Sequence, residues 1–508
     1  MPRLFPLLAL TAAACGSDET FIVVTIEAQP AVHDVSELTV TLSNDGTSRE
    51  DKFPVTSQSF PATFSISAPG RTGTLGIAID ARDDQGILVG TGLIETAIEA
   101  PTARVLLDSA DFVVNTDFAD EQFPSDDFRS HGFQISAGTD GTWTVVYRDR
   151  CLSPCNMFAR RFDATGRPVD SQLAAGTNGF AISTEVTLGG ATPAVATNGA
   201  TTLAVWDFSE PSPSTIDGIA CRALDANGAA LGPQGAISIE PLPDNVSVTP
   251  LMNTTFAVQW NAFVSPNDFI KAAIVSSQCV ATNTVQVSTT VGLGLGPSRG
   301  AVAANGDKIM YVWIVDGEVR ARIASLTNTL VGASDFPVVA KTATEQIEFV
   351  RIAPLGAGFA VVVRWALSTG SAGPGRIELY RTNNGGALMG APSLVSTKSG
   401  SDFPSSEAFG VTSSNDALFV VWHACAENGD PDGSCGAYGR LMSSAGVPVG
   451  AELTLATTTT RDQTNPSAVA LPDGAFAATW MDTSNQAPDK SESAVRARII
   501  YPALDGAQ

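Results

Sequence analysis

The group of side chains best suited to hold a metal ion lies in one acidic loop near the C-terminal end. Asn428, Asp430 and Asp432 stand at alternate positions in the run NGDPDG. Three oxygen ligands at this spacing suit a hard cation such as calcium. Glycines follow at positions 436 and 439, where a calcium loop would need further acidic ligands. The sequence therefore predicts calcium at these three residues, with a metal-free turn closed by Cys425 and Cys435 as the alternative. We expect no other cofactor.

A second set of polar side chains directly follows short apolar runs that end in an aromatic residue. If each run is a strand, these residues begin the loops at one end of a repeated unit, and loops on a rigid scaffold are where binding residues usually occur. Ordinary solvated loop charge is the alternative interpretation. The candidates are Arg148, Asp149, Arg150, Asp207, Asn261, His423 and Asp482.

The overall composition limits other chemistry. The 508 residues include three histidines, so histidine-centred catalysis and multi-histidine metal sites have few residues to draw on. There are 52 acidic and 29 basic side chains, which gives a formal charge of −23. An acidic surface repels phosphate groups, and this argues against nucleic acid and anionic lipid headgroups as partners.

The apolar runs form a repeat between residues 132 and 508. They read WTVVY, TLAVW, FAVQW, IMYVW, VVVRW, LFVVW and FAATW. Their final aromatics lie 52–59 residues apart, at Tyr147, Trp206, Trp260, Trp313, Trp365, Trp422 and Trp480. In four repeats an Asn-Gly or Asp-Gly pair precedes the run, which predicts a two-residue hairpin. A later strand carries a recurring arginine, which we interpret as architectural, at Arg160, Arg222, Arg322 and Arg440.

Seven repeats of four short strands resemble seven-bladed β-propellers. The resemblance implies a closed ring over residues 111–508, and an open solenoid is the alternative architecture. The last repeat ends after its third strand, whereas the segment Asp111–Thr116 has the pattern of a fourth strand. We therefore predict that this segment completes the seventh blade and closes the ring, which removes an exposed strand edge.

Residues 16–110 form a separate predicted module. Apolar and polar residues alternate in short runs such as FIVVTIEA, ELTVTLS and TLGIAIDA, which indicates strands. The turns around Asp45-Gly46 and Gly86 lie where hairpins need positive φ. Six or seven strands in about 90 residues resemble an immunoglobulin-like β-sandwich, which we expect to act as a spacer. The predicted fold is therefore all-β: a small Ig-like sandwich followed by a seven-bladed propeller closed by an N-terminal strand.

The first fifteen residues read MPRLFPLLALTAAAC, an apolar stretch after Arg3 with small residues before Cys15. This length is typical of an export signal and too short for a membrane span. The segment resembles a bacterial lipoprotein signal, which implies that residues 1–15 form the signal peptide and that Cys15 becomes lipidated. The alternative is cleavage after Ala14 by an ordinary signal peptidase, which would give a soluble periplasmic or secreted protein.

Six cysteines remain apart from Cys15. An even number in an exported chain predicts disulfides, and the spacings match zinc sites poorly. The expected pairs are Cys151–Cys155, Cys425–Cys435 and, across two repeats, Cys221–Cys279.

Together these features favour a monomeric, non-enzymatic binding or scaffold protein of the bacterial cell envelope. It would be lipid-anchored and present one propeller face to a protein or glycan. The main alternative is an exported propeller enzyme acting on polysaccharide, of glycosidase or lyase type, and a purely structural envelope component is a third hypothesis. Paired carboxylates at the mouth of the central channel would favour the enzyme, since glycosidic cleavage requires two carboxyl groups about 5–10 Å apart.

Overall fold

We describe the protein from a computed structural model. It covers residues 21–55, 60–114, 133–148, 157–169, 179–184, 193–209, 217–240, 243–264, 267–290, 298–367, 375–396, 409–414, 417–425, 434–486 and 493–502. The regular secondary structure of these residues is all β-strand, as predicted. The chain divides into two compact units, one ending at Ser109 and the other beginning at Ala110. Within the described ranges there is no helix long and apolar enough to cross a membrane.

The N-terminal unit contains seven strands in the order β3-β2-β5-β6-β7-β1-β4. They are β1 (Phe21–Ala28), β2 (Glu37–Asn44), β3 (Thr47–Pro54), β4 (Ala62–Ser67), β5 (Thr74–Arg82), β6 (Leu88–Ala97) and β7 (Thr102–Ser109). Strands β1 and β7 run parallel, and the other neighbours are antiparallel. The predicted β2–β3 hairpin is confirmed, because Asp45 and Gly46 have φ values of 49° and 73°.

Strands from both halves of this sheet share one apolar core. Alternate residues of β1, among them Ile22 and Val24, pack in the same cluster as Val40 of β2, Ile77 of β5 and Val105 of β7. The β6–β7 junction consists of two residue pairs, whereas β5 and β6 pair along nine. The sheet is therefore curled, and its inward-facing side chains exclude water between the two halves.

The second unit begins with β8 (Phe112–Val113) and continues with seven sheets. The strands of the first three are β9 (Phe133–Ala137), β10 (Trp143–Arg148), β11 (Met157–Phe162), β12 (Phe180–Ala181); β13 (Pro193–Asn198), β14 (Thr201–Ser209), β15 (Asp217–Leu224), β16 (Gly235–Ile239); β17 (Asp244–Pro250), β18 (Thr255–Val264), β19 (Asn267–Ser276) and β20 (Ala281–Gln286).

The remaining four sheets complete the repeat. Their strands are β21 (Ser298–Asn305), β22 (Lys308–Val315), β23 (Glu318–Ser325), β24 (Phe336–Val339); β25 (Glu345–Leu355), β26 (Gly358–Leu367), β27 (Arg376–Asn383), β28 (Ser393–Leu394); β29 (Gly410–Ser414), β30 (Ala417–Ala424), β31 (Gly436–Ser443), β32 (Pro448–Thr454); β33 (Gln463–Ala470), β34 (Phe476–Asp482) and β35 (Ala494–Ile500). Each sheet has four antiparallel strands, so the protein contains a seven-bladed β-propeller, as predicted.

The recurring aromatic residues lie on the second strand of each blade and are at most 2% exposed. The core clusters that contain them draw on two adjacent blades. Trp313 shares a cluster with Ala272 of the preceding blade, and Trp422 shares one with Leu379. One blade therefore cannot bury both of its faces alone, and the ring supplies each face with a neighbour.

The ring is closed by β8, which forms the fourth strand of the seventh blade. Phe112 and Val113 pair antiparallel with residues of β35, and the Val114 amide donates to the carbonyl oxygen of Val495 at 2.8 Å. This pairing confirms the predicted closing strand for the residues that the structure describes. Residues 115 and 116 of the predicted segment lie outside the described ranges.

The third-strand arginines join adjacent blades, which confirms that they belong to the architecture. In five blades such a guanidinium donates to the carbonyl of the residue that directly follows the fourth strand of the preceding blade, at 2.5–3.5 Å. The pairs are Arg160–Val114, Arg222–Ile182, Arg322–Val287, Arg440–Val395 and Arg498–Leu455. A charged donor satisfies a buried carbonyl that the sheet leaves unpaired.

The predicted two-residue hairpins are present in two of the four repeats. Asn198 pairs with Thr201, and Asn305 pairs with Lys308. In the first and seventh blades the prediction is wrong, because five residues separate the paired strands. There the Asp140 carboxylate accepts a hydrogen bond from the backbone amide two residues later, and Asp473 does the same. These Asx-turns stabilise a wider loop.

Candidate functional site

The first strands of all seven blades surround a cavity of about 190 Å³. These strands are β9, β13, β17, β21, β25, β29 and β33, and each is a neighbour of the next around the ring. The cavity is therefore the central channel of the propeller. Central cavities of this kind, lined by side chains from a rigid scaffold, are common ligand sites.

The cavity lies toward the end of the channel where the first strands begin. Gln134 is the second residue of β9, and Asn465 is the third residue of β33. Because adjacent strands are antiparallel, the second strands finish at this same end. The channel cavity and the loops that follow the aromatic strands therefore belong to one face of the propeller.

One blade breaks the repetition of the channel lining. Two positions on the first strands show this difference. The first position is paired with the residue that precedes the recurring aromatic on the second strand. The second position lies two residues later on the same first strand. The first position holds Gln134, Ala194, Ser247, Ala301, Phe349, Gly410 and Ser467. The second holds Ser136, Ala196, Thr249, Ala303, Arg351, Thr412 and Val469. The fifth blade alone has an aromatic and a charged residue here. Repeated residues maintain the ring, so this departure marks the candidate site.

Arg351 is the one charged side chain among the described residues that line the cavity. Its Nη1 donates to the carbonyl oxygen of Val350 at 2.9 Å. Its guanidinium carbon lies 6.0 Å from the ring centroid of Phe409, which also lines the cavity and is 2% exposed. This distance permits a cation–π interaction that orients the guanidinium.

A second arginine of the same blade supports Phe349. Arg364, on β26, lies opposite Phe349, and its guanidinium carbon is 5.7 Å from the phenyl centroid. The Arg364 Nη1 is 3.7 Å from the Oε2 of Glu348, and the arginine side chain is 3% exposed. Because this cation is buried and paired, its contribution is to hold Phe349 in place at the cavity wall.

The rest of the cavity combines aliphatic side chains with neutral hydrogen-bonding groups. The neutral polar residues are Gln134, Asn245, Ser247, Asn465 and Ser467. Asn245 and Asn465 have φ values of 51° and 52° and lie where the pairing of β17 and β33 with the next strand shifts register. β-Bulges of this kind redirect side chains and are frequent beside functional sites.

The predicted binding-face residues that the structure describes lie within second strands and not, as predicted, in the loops after them, and most of them are buried. Arg148, Asn261, His423 and Asp482 are 2–7% exposed, and Asp207 is half-buried. His423 is connected to the cavity, because its Nδ1 accepts a hydrogen bond from the backbone amide of Asn465 at 3.3 Å. Asp149 and Arg150 lie outside the described residues. Ligand binding by these seven residues stays a prediction.

Asp482 belongs to a buried ion network beside the closing strand. Its Oδ2 is 2.7 Å from Nε of Arg496, and Nη1 of the same arginine is 2.8 Å from Oδ1 of Asp111. The three side chains are 1–4% exposed. Asp111 also accepts hydrogen bonds from the backbone and hydroxyl groups of Thr457 and Thr458 in the preceding blade. This carboxylate therefore joins the N-terminal strand to two blades.

The fourth blade repeats this arrangement within a continuous chain. Asp335 directly precedes β24, accepts hydrogen bonds from Thr289 and Thr290 of the third blade, and pairs with Arg320. Burial opposes ionisation of Asp335, but the hydrogen bonds from Thr290, Thr289 and Arg320 outweigh it and hold the pKa at about 2. Charged and hydroxyl donors favour the ionised carboxylate.

Two of the predicted disulfides are confirmed. Cys221 of β15 is bonded to Cys279, which joins the second and third blades, with Cα atoms 5.9 Å apart. Cys425 is bonded to Cys435. Cys151 and Cys155 lie outside the described residues, and so do Cys15 and the predicted calcium ligands Asn428, Asp430 and Asp432. Within the described ranges no three His, Cys, Asp or Glu residues are grouped to hold a metal ion.

Sequence reasoning missed Phe349, Arg351 and Phe409. The recurring aromatics mark the second strands, whereas Phe349 and Arg351 lie on a first strand and Phe409 directly precedes another. A signal was available, since the run FVRIAPL places a charged residue inside a first strand. Which residues of that strand face the channel depends on the register shift between Ile347 and Phe349.

No protein-family model matches the sequence, nor does any curated protein. Among solved structures, a protein of unknown function from Dyadobacter fermentans is 11% identical with a TM-score of 0.42, covering 78% of this chain and 99% of the other. An α-L-arabinofuranosidase from Fusarium graminearum is 12% identical with a TM-score of 0.38, covering 77% and 98%. Prolyl oligopeptidase B from Galerina marginata is 8% identical with a TM-score of 0.40, covering 80% of this chain and 53% of the other. Likenesses at this level carry no argument about function.

Proposed function

We propose that the protein is a non-enzymatic binding or scaffold protein whose propeller receives a protein or glycan at the channel face described above. The observation that carries this proposal is the break in the repeat at the fifth blade, where Phe349 and Arg351 replace the small or neutral side chains of the other first strands. Side chains that stabilise the ring would recur at the same position in each blade. A residue pair confined to one blade and lining the cavity instead suits a ligand.

The lining supports binding by hydrogen bonds. Amide and hydroxyl groups of Gln134, Asn245, Ser247, Asn465 and Ser467 offer both donors and acceptors. They are carried on strands of a closed ring, which holds them in fixed positions before a ligand arrives, and such preorganisation lowers the entropic cost of binding.

The proposal places the protein at the bacterial cell envelope, with Cys15 as the lipid-bearing residue. The support is the sequence of residues 1–15 together with the two disulfides, which are typical of exported proteins. The N-terminal unit, with seven strands around one core, would be an Ig-like spacer between anchor and propeller. Metabolic labelling with an alkyne fatty acid tests this: we expect label on the wild-type chain and none on Cys15→Ala.

The alternative is an exported enzyme acting on polysaccharide. Glycosidic cleavage requires two carboxyl groups about 5–10 Å apart. The described residues lining the cavity include no Asp or Glu. The described part of the channel therefore lends this alternative no support.

The test uses the purified full chain against immobilised neutral and acidic oligosaccharides and against envelope proteins captured by cross-linking. We expect saturable binding that is lost when Phe349 and Arg351 are both replaced by alanine. The matched control replaces Phe53 and Arg49 of the N-terminal unit by alanine, because both are exposed and lie outside the cavity lining. Binding that survives in the Phe349 and Arg351 variant, loss of binding in the control, or release of shortened glycan by the wild-type chain would contradict the proposal.

A further inference from the structure

We propose that the protein has a second binding site, for a neutral oligosaccharide, in a groove between the third and fourth blades. The groove has a volume of about 540 Å³ and is lined by residues 283–285 of β20 and residues 327–330 of the turn after β23. This volume lies within the range of roughly 300–1,000 Å³ that is typical of ligand sites. Because neighbouring strands are antiparallel, third strands end at the face opposite the channel cavity. The groove is therefore separate from the channel site and does not depend on it.

Two copies of one short motif form the walls of the groove. Residues 282–285 read TNTV, and residues 327–330 read TNTL. In each blade a serine hydroxyl caps the turn after the third strand, at Ser276 and at Ser325. The first copy begins six residues after its serine and the second begins two residues after its own. The blade repeat therefore does not account for the likeness, and a feature confined to one pair of blades suits a ligand.

Two asparagines hold the motifs side by side. The Asn328 Nδ2 donates to the carbonyl oxygen of Asn283 at 2.8 Å, and the Asn283 Nδ2 donates to that of Thr327 at 3.1 Å. Asn283 and Asn328 have φ values of 51° and 60°, a conformation that asparagine tolerates better than most residues. Four other blades have glycine at the turn position of Asn328, at Gly166, Gly228, Gly386 and Gly446. Glycine cannot make this contact, so only here are the two walls fixed in this way before a ligand binds.

A row of hydroxyl groups ends in a hydrogen-bond donor that a ligand can use. The Ser325 Oγ accepts hydrogen bonds from the backbone amides of Thr327 and Thr329, so both of its lone pairs are occupied. Its proton is therefore donated to the Thr327 Oγ1 at 2.9 Å, and Thr327 donates in turn to the Thr329 Oγ1 at 3.3 Å. The hydroxyl proton of Thr329 remains available, and the exposed side chain of Thr284 supplies a second hydroxyl group across the groove.

The other lining groups favour a neutral sugar. None of the described residues that line the groove is charged, and the half-buried side chains of Val285 and Leu330 offer aliphatic surface. Sugars carry hydroxyl groups that donate and accept hydrogen bonds beside apolar C–H groups. A peptide strand would instead pair with the outer edge of β20, where Asn328 already donates to the Asn283 carbonyl. A neutral oligosaccharide therefore matches the groove better than a peptide.

The experiment measures binding of the full chain by calorimetry to hexasaccharides of glucose, mannose and galactose, with a hexamer of glucuronic acid as the charged comparison. We expect a neutral hexasaccharide to bind and the glucuronic acid hexamer not to bind. Replacing Thr284 and Thr329 by valine should weaken binding about 10- to 100-fold, because two hydrogen bonds to the ligand are lost. Replacing both by serine keeps the hydroxyl groups and should retain most of the affinity. The matched control replaces Thr63 and Thr102, exposed strand residues of the N-terminal unit, by valine and should bind as the wild type does.

Thermal melts establish that each variant is folded, and Thr284→Val alone carries the test if the double valine variant unfolds. Failure of all three neutral hexasaccharides to bind, tighter binding of the glucuronic acid hexamer, or equal affinity of the valine variant and the wild type would overturn this inference. Binding that is lost on replacing Phe349 and Arg351 but kept in the valine variant would assign the glycan to the channel. That result would overturn the second site while supporting the proposed function, so the two can fail separately.

Discussion

Replacing Asp111 by alanine should open the ring at its closing strand. The carboxylate accepts hydrogen bonds from Thr457 and Thr458 at 2.7–3.0 Å and pairs with Arg496 at 2.8 Å. Strand β8 contributes two paired residues to the seventh blade, and no hairpin connects it to β35. Asp111 is therefore a principal contact that holds this strand to the ring.

The expected loss of unfolding free energy follows from the burial of this ion network. Removing one partner of a buried ion pair costs about 3–5 kcal/mol, and the lower value applies here because Arg496 keeps its contact with Asp482 at 2.7 Å. An unfolding entropy of about 2.1 cal/mol/K per residue gives roughly 0.8 kcal/mol/K for the unit from Ala110 to Gln508. A loss of about 3 kcal/mol then lowers the melting temperature by about 4 °C.

The fourth blade provides a matched control. Asp335→Ala removes the same type of contacts, to Thr289, Thr290 and Arg320. Strand β24 nevertheless remains within a continuous chain, so its loosening does not open the ring. We expect similar melting temperatures for the two variants. Hydrogen exchange of a peptide containing Phe112 and Val114 should accelerate in Asp111→Ala and remain slow in Asp335→Ala, since local opening exposes only the closing strand.

Two results would refute this reasoning. Unchanged exchange at residues 112–114 in Asp111→Ala would show that the β8 pairing does not depend on the carboxylate. Equal acceleration in both variants would show that closure has no special weakness compared with an internal blade.

Three further predictions concern stability. The pKa of the Asp335 carboxyl group is lowered to about 2 in the folded protein. The contribution of the ionised carboxylate to the free energy of unfolding is therefore present above about pH 4 and is lost as the pH falls through 2. The difference in unfolding free energy between wild type and Asp335→Asn should shrink over that range. Replacing both Cys221 and Cys279 by alanine should lower the unfolding free energy by up to about 4 kcal/mol in denaturant titrations, because the bond closes a 58-residue separation; an unchanged midpoint would contradict this. Arg440→Met should cost about 1–3 kcal/mol because the buried carbonyl of Val395 loses its donor, and a variant as stable as wild type would show that this bond contributes nothing.

Much of the propeller could be predicted from local sequence patterns. These patterns are the alternation of apolar residues, the aromatic on each second strand and the turn residues. Each is a property of a short segment, so it can be recognised in the sequence without the tertiary structure. The closing strand was also predictable, because a missing fourth strand at one end and a spare strand at the other are visible in the sequence. The recurring arginines could be assigned to architecture for the same reason, although their acceptors on the preceding blade could not.

The candidate site was less accessible to sequence reasoning. His423 and Asp482 directly follow the recurring aromatics, but both lie within the second strands and are buried. His423 contacts the backbone of Asn465 in the next blade, whereas Asp482 pairs with Arg496 of its own blade. The ion pair between Asp111 and Arg496 joins residues 385 positions apart. No local pattern contains a contact of that separation, since it forms only when the ring closes.

The sequence by itself determined the number of blades, their strand pattern and the way the ring closes, because the repeat can be recognised from the spacing of similar residues along the chain. Only the tertiary structure decided that Phe349, Arg351 and Phe409 share one cavity with Asn245 and Asn465. The physical reason is that register shifts in the first strands select which side chains face the channel, and closure then brings the strands of all seven blades around a common centre.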